Sequence, residues 1–280
     1  MIRYGLIGLA AFAAGITAAA AETPAERGAY LVNTIMTCQN CHTPKGPNGD
    51  IADKALSGGL TFDEPPFKVT ASNITPDPET GIGKWTDAQI KTLMRTGVRP
   101  NGVHVAGVMP TGFYGILTES DLDAIVAYLR TVKPINNKVP DPIYKIALPR
   151  QVFPGSEAPM PQADFADTVK HGFYLATIGH CMECHTPFGQ AGVDFKGSLG
   201  KGGREFPGPW GKSISRNITS SKTKGIGNWT DAEIKQAITH GVSRDGSPLK
   251  PPMGYPYYAH MTDADLNGVV AYLRTVPPLE

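Results

Sequence analysis

Cys38-Gln39-Asn40-Cys41-His42 and Cys181-Met182-Glu183-Cys184-His185 hold all four cysteines of a 280-residue chain. Both stretches read C-x-x-C-H. Two thiols at that spacing add across the two vinyl groups of one haem, and the adjacent His lies under the iron and donates an imidazole nitrogen. A zinc knuckle would need further Cys or His at ligand spacing. A thioredoxin-like redox pair does not need the trailing His. The motifs therefore predict two covalent haem c groups, attached at Cys38, Cys41, Cys181 and Cys184, with His42 and His185 as iron ligands. No thiol is left over for a disulfide.

Outward from the motifs, the chain repeats itself at an offset of 144. Gly81-Ile82-Gly83-Lys84-Trp85-Thr86-Asp87 returns as Gly225-Ile226-Gly227-Asn228-Trp229-Thr230-Asp231. Asn73-Ile74-Thr75 returns as Asn217-Ile218-Thr219, and Ala127-Tyr128-Leu129-Arg130 as Ala271-Tyr272-Leu273-Arg274. Two copies are too few for a solenoid and predict two similar domains. The expected boundaries are 22–132 and 169–280. The segment between them, 133–168, is rich in Pro and so extended and stiff. Its apolar residues, among them Ile135, Val139, Ile143 and Phe153, predict that it packs along a domain.

Each domain predicts three helices. The first covers about Ala25–Met36, with a partner at about Thr168–Ile178. The second opens on the capping box Thr86-Asp87-Ala88-Gln89, matched by Thr230-Asp231-Ala232-Glu233. The third starts at Thr118 and sets Leu122, Ile125, Val126 and Leu129 on one face; its partner starts at Thr262. Strand signals are sparse. The expected class is all-α, with long loops, which suits 32 Gly and 25 Pro in the chain.

Met1–Tyr4 with Arg3, the apolar run Gly5–Ala20 and the small residues Ala19-Ala20-Ala21 read as a signal peptide over 1–21, cleaved before Glu22. The expected location is the periplasm. A net charge of +1 gives no nucleic-acid footprint. The halves differ, however. Residues 22–132 hold nine Lys/Arg against twelve Asp/Glu, and residues 169–280 hold twelve against nine. Oppositely biased halves could dock different partners; the alternative is drift without function.

A helix before the motif, a final helix and a Met from the loop between them resemble class I cytochrome c. Within that class the Asn-Ile-Thr, Gly-Ile-Gly-x-Trp-Thr-Asp and Ala-Tyr-Leu-Arg stretches, present in both halves, resemble the cytochrome subunits of bacterial membrane-bound alcohol and gluconate dehydrogenases. Those subunits usually have three haem motifs, and this sequence has two.

Met109 and Met253 align in the loop before the third helix. A thioether suits ferrous iron, and the resemblance implies the same pair as sixth ligands; the alternative is a Met filling a core gap. His104 is the competitor in the first domain, and the second has Pro248 at that place. His171, His180, His240 and His260 lack His counterparts and are expected mostly to face solvent. Asn73, Trp85, Asn217 and Trp229 offer donors that could reach haem propionates, or else serve as ordinary caps and core.

The expected function is a dihaem electron carrier, not an enzyme. The electron donor would be a dehydrogenase, and the acceptor a further cytochrome or terminal oxidase, with any membrane association made through a partner. The alternatives are a dihaem enzyme, such as a cytochrome c peroxidase with an open iron, and a haem-based sensor or assembly subunit.

Overall fold

The computed structural model describes residues 21–280 apart from Asn48, Leu148 and Pro209. The expected signal peptide lies, but for Ala21, outside the described residues. Helix α1, Pro24–Tyr30, starts on a Thr23/Glu26 capping box with Pro24 in its first turn. One π-turn, Leu31–Ile35, prolongs it. Thr37 then takes a left-handed φ of 48° and turns the chain into α2, Cys38–His42. His180 repeats that conformation, with φ 44°, ahead of the second motif. A left-handed non-glycine residue is uncommon, and it marks the entry to the motif in both halves.

Two hairpins follow α2: β1, Lys45–Gly46, with β2, Gly49–Asp50; and β3, Thr61–Glu64, with β4, Phe67–Thr70. Helix α3, Asp87–Thr96, has the expected Thr86/Gln89 box and stops at left-handed Gly97. A 3₁₀ segment, Thr111–Ile116, leads to α4, Glu119–Thr131, capped by Thr118. Strand β5, Ile143–Tyr144, lies in the interdomain segment and pairs with β4. The second domain repeats the order: α5, Thr168–Ile178; α6, Cys181–Cys184; β6, Phe188–Gly189; β7, Gly192–Val193; β8, Glu205–Gly208; β9, Gly211–Ile214; α7, Asp231–His240; α8, Tyr255–Tyr258; and α9, Asp263–Thr275.

The all-α expectation needs correction. Each domain combines helices and long loops with short antiparallel hairpins. The long loops after each haem motif contain polar backbone groups that no helix satisfies, and folding back on themselves pairs them locally.

Each core forms where the first helix crosses the last, α1 on α4 and α5 on α9. Leu31, Ile35, Leu122, Ile125 and Leu129 are buried in the first core, and Leu175, Ile178, Val269, Val270 and Leu273 in the second. The crossings depend on glycine. A Cβ on Gly28 would lie 1.9 Å from the Ala124 carbonyl oxygen, and one on Gly172 would lie 1.8 Å from that of Gly268.

The two domains pack against each other in a reciprocal way. The Tyr30 hydroxyl donates to Asp265 at 2.6 Å, and the Tyr174 hydroxyl donates to Asp121. Positions 30 and 174, and 121 and 265, correspond in the repeat. Arg27 pairs with Asp121 at 2.9 Å, and its counterpart His171 sits 3.5 Å from Asp265. The interdomain segment packs along the first domain and then into this junction. Phe153 stacks on Phe113 at 4.9 Å and meets Phe195 of the second domain edge-on at 5.1 Å.

Candidate functional site

The two motif histidines have matching partners. Nδ1 of His42 lies 2.6 Å from the Ser72 carbonyl, and Nδ1 of His185 lies 2.6 Å from the Arg216 carbonyl. A ring whose Nδ1–H is engaged this way presents its Nε2 lone pair to a metal. Burial holds both imidazoles below the ordinary His range, so they stay neutral and able to ligate.

The Asn-Ile-Thr stretches explain how those carbonyls are held. The Asn73 side-chain oxygen accepts from the amide and hydroxyl of Thr75, and its amide group donates to Thr80 and to the Ile135 carbonyl. Asn217 likewise accepts from Thr219 and donates to the Leu279 carbonyl. Each Asn therefore pins the loop whose preceding residue accepts from the motif His. Both amide hydrogens of Asn73 are engaged within the protein, and the side chain positions the Ser72 loop. Trp85 and Trp229 are half-buried against the core, and their backbone carbonyls accept from Arg130 and Arg274.

An apolar cleft opens beside the second motif, lined among others by Cys181, His185, Met253, Met261 and Leu175. Its wall also includes Ile35, which belongs to the first domain. Three sulfur-bearing side chains and one imidazole in an otherwise apolar cleft suit a large flat apolar cofactor with an iron at its centre. In the first domain Met109 is half-buried against the core, whereas its competitor His104 is exposed. There Arg99 donates to the Ser72 hydroxyl at 3.1 Å, and its Nε is buried without a partner. An unpartnered buried guanidinium nitrogen beside the His42 loop fits an anionic cofactor edge.

Burial pushes Cys38 and Cys184 up to about 12, and Cys41 and Cys181 up to about 11. A reactive dithiol needs the opposite shift. No group of three or more His, Cys, Asp or Glu is placed to hold a metal ion among the described residues. That donor set does not make a zinc knuckle.

Several contributors have no signature in the sequence. Ser72 and Arg216 act through backbone carbonyls. Tyr114 and Tyr258, equivalent in the repeat, are buried beside the motif cysteines. Tyr258 donates to the Gly179 carbonyl at 3.3 Å and also meets Thr37, which precedes Cys38 in the other domain. The two haem motifs thus meet across one interface. His240 and His260 face solvent as expected, whereas His171 and His180 are half-buried next to Asp265 and Glu183.

Comparison with known proteins gives the same picture. The cytochrome c family profile matches residues 25–133 and again 169–277. The cytochrome c subunit of the quinone alcohol dehydrogenase of Gluconacetobacter polyoxogenes is 30% identical, over 96% of this chain and 61% of its own length. The fructose dehydrogenase cytochrome subunit of Gluconobacter japonicus is 28% identical over 93% and 54%. This chain thus spans a little more than half the length of those dehydrogenase subunits. A diheme cytochrome c-type protein of Cereibacter sphaeroides is 30% identical over 87% of this chain and 83% of its own length. With both halves matched, and a C-x-x-C-H motif and engaged His in each, the chain belongs to the cytochrome c family and holds two covalent haem c groups, one per domain.

Proposed function

We propose that this chain is the electron-transfer subunit of a dehydrogenase, exported to the periplasm as a mature protein starting at Glu22. In this reading its domains span 22–132 and 169–280. It takes electrons from the dehydrogenase and delivers them to a further cytochrome or terminal oxidase, meeting the membrane only through a partner. No helix among the described residues is long and apolar enough to cross a membrane. The observation that supports this reading best is the shared interface: Ile35 of one domain walls the haem cavity of the other, and Tyr258 bridges to the residue before Cys38. Two redox sites so joined suit passage of electrons through one chain. The names of the relatives above, cytochrome subunits of dehydrogenases, point the same way.

When bound, the two haems supply one-electron redox chemistry. The chain's own residues do the rest. His42 and His185 present Nε2 while Ser72 and Arg216 hold Nδ1–H. Met109 and Met253 would hold the irons through their thioether sulfurs, opposite the role of the histidines. Leu175, Ile35 and Tyr258 keep water from the second site. The Trp85 and Trp229 indoles would offer N–H donors to the haem propionates. Met109→Ala should abolish the thioether–iron charge-transfer band of one haem and lower its potential, leaving the other intact. The reduced protein should be oxidised rapidly by a cytochrome or membrane oxidase. Sustained turnover of peroxide or an alcohol by the purified chain alone would favour an enzyme instead.

A further inference from the structure

Just beyond each haem motif, the stretch around the first hairpin of one domain meets the segment that follows the methionine of the other, and the two meetings differ in chemistry. The cross-strand pair Lys45–Asp50 joins β1 to β2, and the equivalent pair on β6 and β7 is Phe188–Val193. Lys45 and Asp50 form an ion pair, and the Tyr257 hydroxyl, on α8 of the second domain, donates to the Asp50 carboxylate at 2.5 Å. The Lys45 ammonium lies 3.4 Å from the same hydroxyl. Phe113 holds the place of Tyr257 in the first domain. It meets Phe195, two residues beyond β7, edge-on at 5.7 Å. The Gln151 side chain joins that side by exchanging two hydrogen bonds with the Val193 backbone, at 2.6 and 2.9 Å. One meeting is aromatic and shared with the interdomain segment. The other consists of an acid, a base and a phenol.

The polar contact sits one helical turn from Met253. The amides of Tyr257 and Tyr258 donate to the Gly254 carbonyl at 3.0 and 3.1 Å, so the turn that carries Tyr257 closes on the residue after Met253. The first domain flanks the same loop from other sides. Gly254 runs so close to Thr37 that a Cβ there would lie 3.3 Å from the Thr37 methyl. The Asn40 side-chain amide lies 3.5 Å from the Pro252 carbonyl, and the Tyr30 hydroxyl accepts from the Thr262 amide at 3.0 Å. Residues on both sides of Met253 are therefore held by the first domain. The segment after Met109 is held by the interdomain segment instead. The Phe153 amide and the Ser156 hydroxyl donate to the Gly112 carbonyl at 3.0 and 2.7 Å, and Arg150 donates to the Thr111 carbonyl at 2.7 Å. A thioether is a neutral ligand. Its hold on iron against an outside competitor depends on how firmly its loop keeps it in place.

We propose that Asp50 and Tyr257 are positioning residues for the second haem: a clasp from the first domain that keeps the Met253 thioether on its iron and leaves Met109 alone. The proposal rests on the reading of Met109 and Met253 as iron ligands. It makes the ligation of one haem conditional on a contact from the other domain, so whatever parts the domains also frees the second iron to take an outside ligand.

The test uses the full haem-loaded ferric chain, imidazole as the competing ligand and the thioether–iron charge-transfer band as the signal. In a Met109→Ala background the remaining band belongs to the second haem; in a Met253→Ala background it belongs to the first. Tyr257→Phe removes one hydroxyl and leaves the ring in place. In the first background it should lower the imidazole concentration that halves the band by about fivefold, as suits one hydrogen bond to a partly exposed carboxylate. In the second background it should change nothing. Asp50→Ala should act as Tyr257→Phe does, and the two together should cost no more than either alone. An unchanged titration of the second haem would overturn the proposal, and so would equal loosening of both bands, which marks a general loss of stability. A Met109→Ala chain with no remaining band would remove Met253 as a ligand and overturn the ligand reading together with the clasp.

Discussion

Arg99 has no counterpart in the second domain, where position 243 is Ser. Its guanidinium stands beside Ser72, whose carbonyl holds His42, and it adds a positive charge near that site. A fixed cation disfavours the oxidised, more positive state of nearby iron. Arg99→Gln should therefore lower the potential of one haem by on the order of 60 mV, equivalent to about 1.4 kcal/mol for a one-electron couple. Spectroelectrochemical titration resolves the two haems; equal shifts in both, or none, would remove Arg99 from that role. At this scale the sequence was legible wherever a side chain performs the chemistry, as at Cys38, Cys41 and His42. It was silent on Ser72 and Arg216, because a backbone carbonyl accepts regardless of the residue that bears it. The partners of Asn73 were out of reach of the sequence for a related reason. Its donor capacity was evident, but the acceptor, the Ile135 carbonyl, lies 62 residues away.

The helix crossings depend on close backbone approach. Gly172→Ala would place a methyl 1.8 Å from the Gly268 carbonyl oxygen, so α5 and α9 would have to move apart. The expected cost is about 3 kcal/mol, the upper part of the usual range for overpacking, read as a lower melting temperature with both haems still attached. A variant as stable as the parent would show that the crossing is looser than described. Helices were the readable elements, since their caps are local: Thr86 with Gln89 and Thr230 with Glu233 lie three residues apart. The hairpins were not. Gly211-Lys212-Ser213-Ile214 has little strand propensity and takes its conformation from pairing with β8.

Between domains, the reciprocal tyrosine–aspartate bonds set the arrangement. Burial, and then the hydrogen bond to Asp265, push the Tyr30 hydroxyl up to about 12. A free tyrosine ionises near 10. As pH rises the separated state loses its proton first. The stabilisation from Tyr30 is therefore whole below about pH 10 and is lost as pH passes about 12. Small-angle scattering across that window should show the domains parting, and Tyr30→Phe should make the loss shallower. Identical profiles would free Tyr30 of this role. None of these pairings was legible, since Tyr30 and Asp265 are joined only after two separate domains have folded and met. The placement of Ile35 in the other domain's cavity wall has a consequence for descent. Once one copy of a duplicated gene supplies part of its sibling's lining, neither half can be trimmed, swapped or reshuffled without unlining a cofactor. Residues 169–280 made alone should admit water to their haem and lose the reduced state to oxygen faster than the full chain does. The two copies have become a single heritable unit.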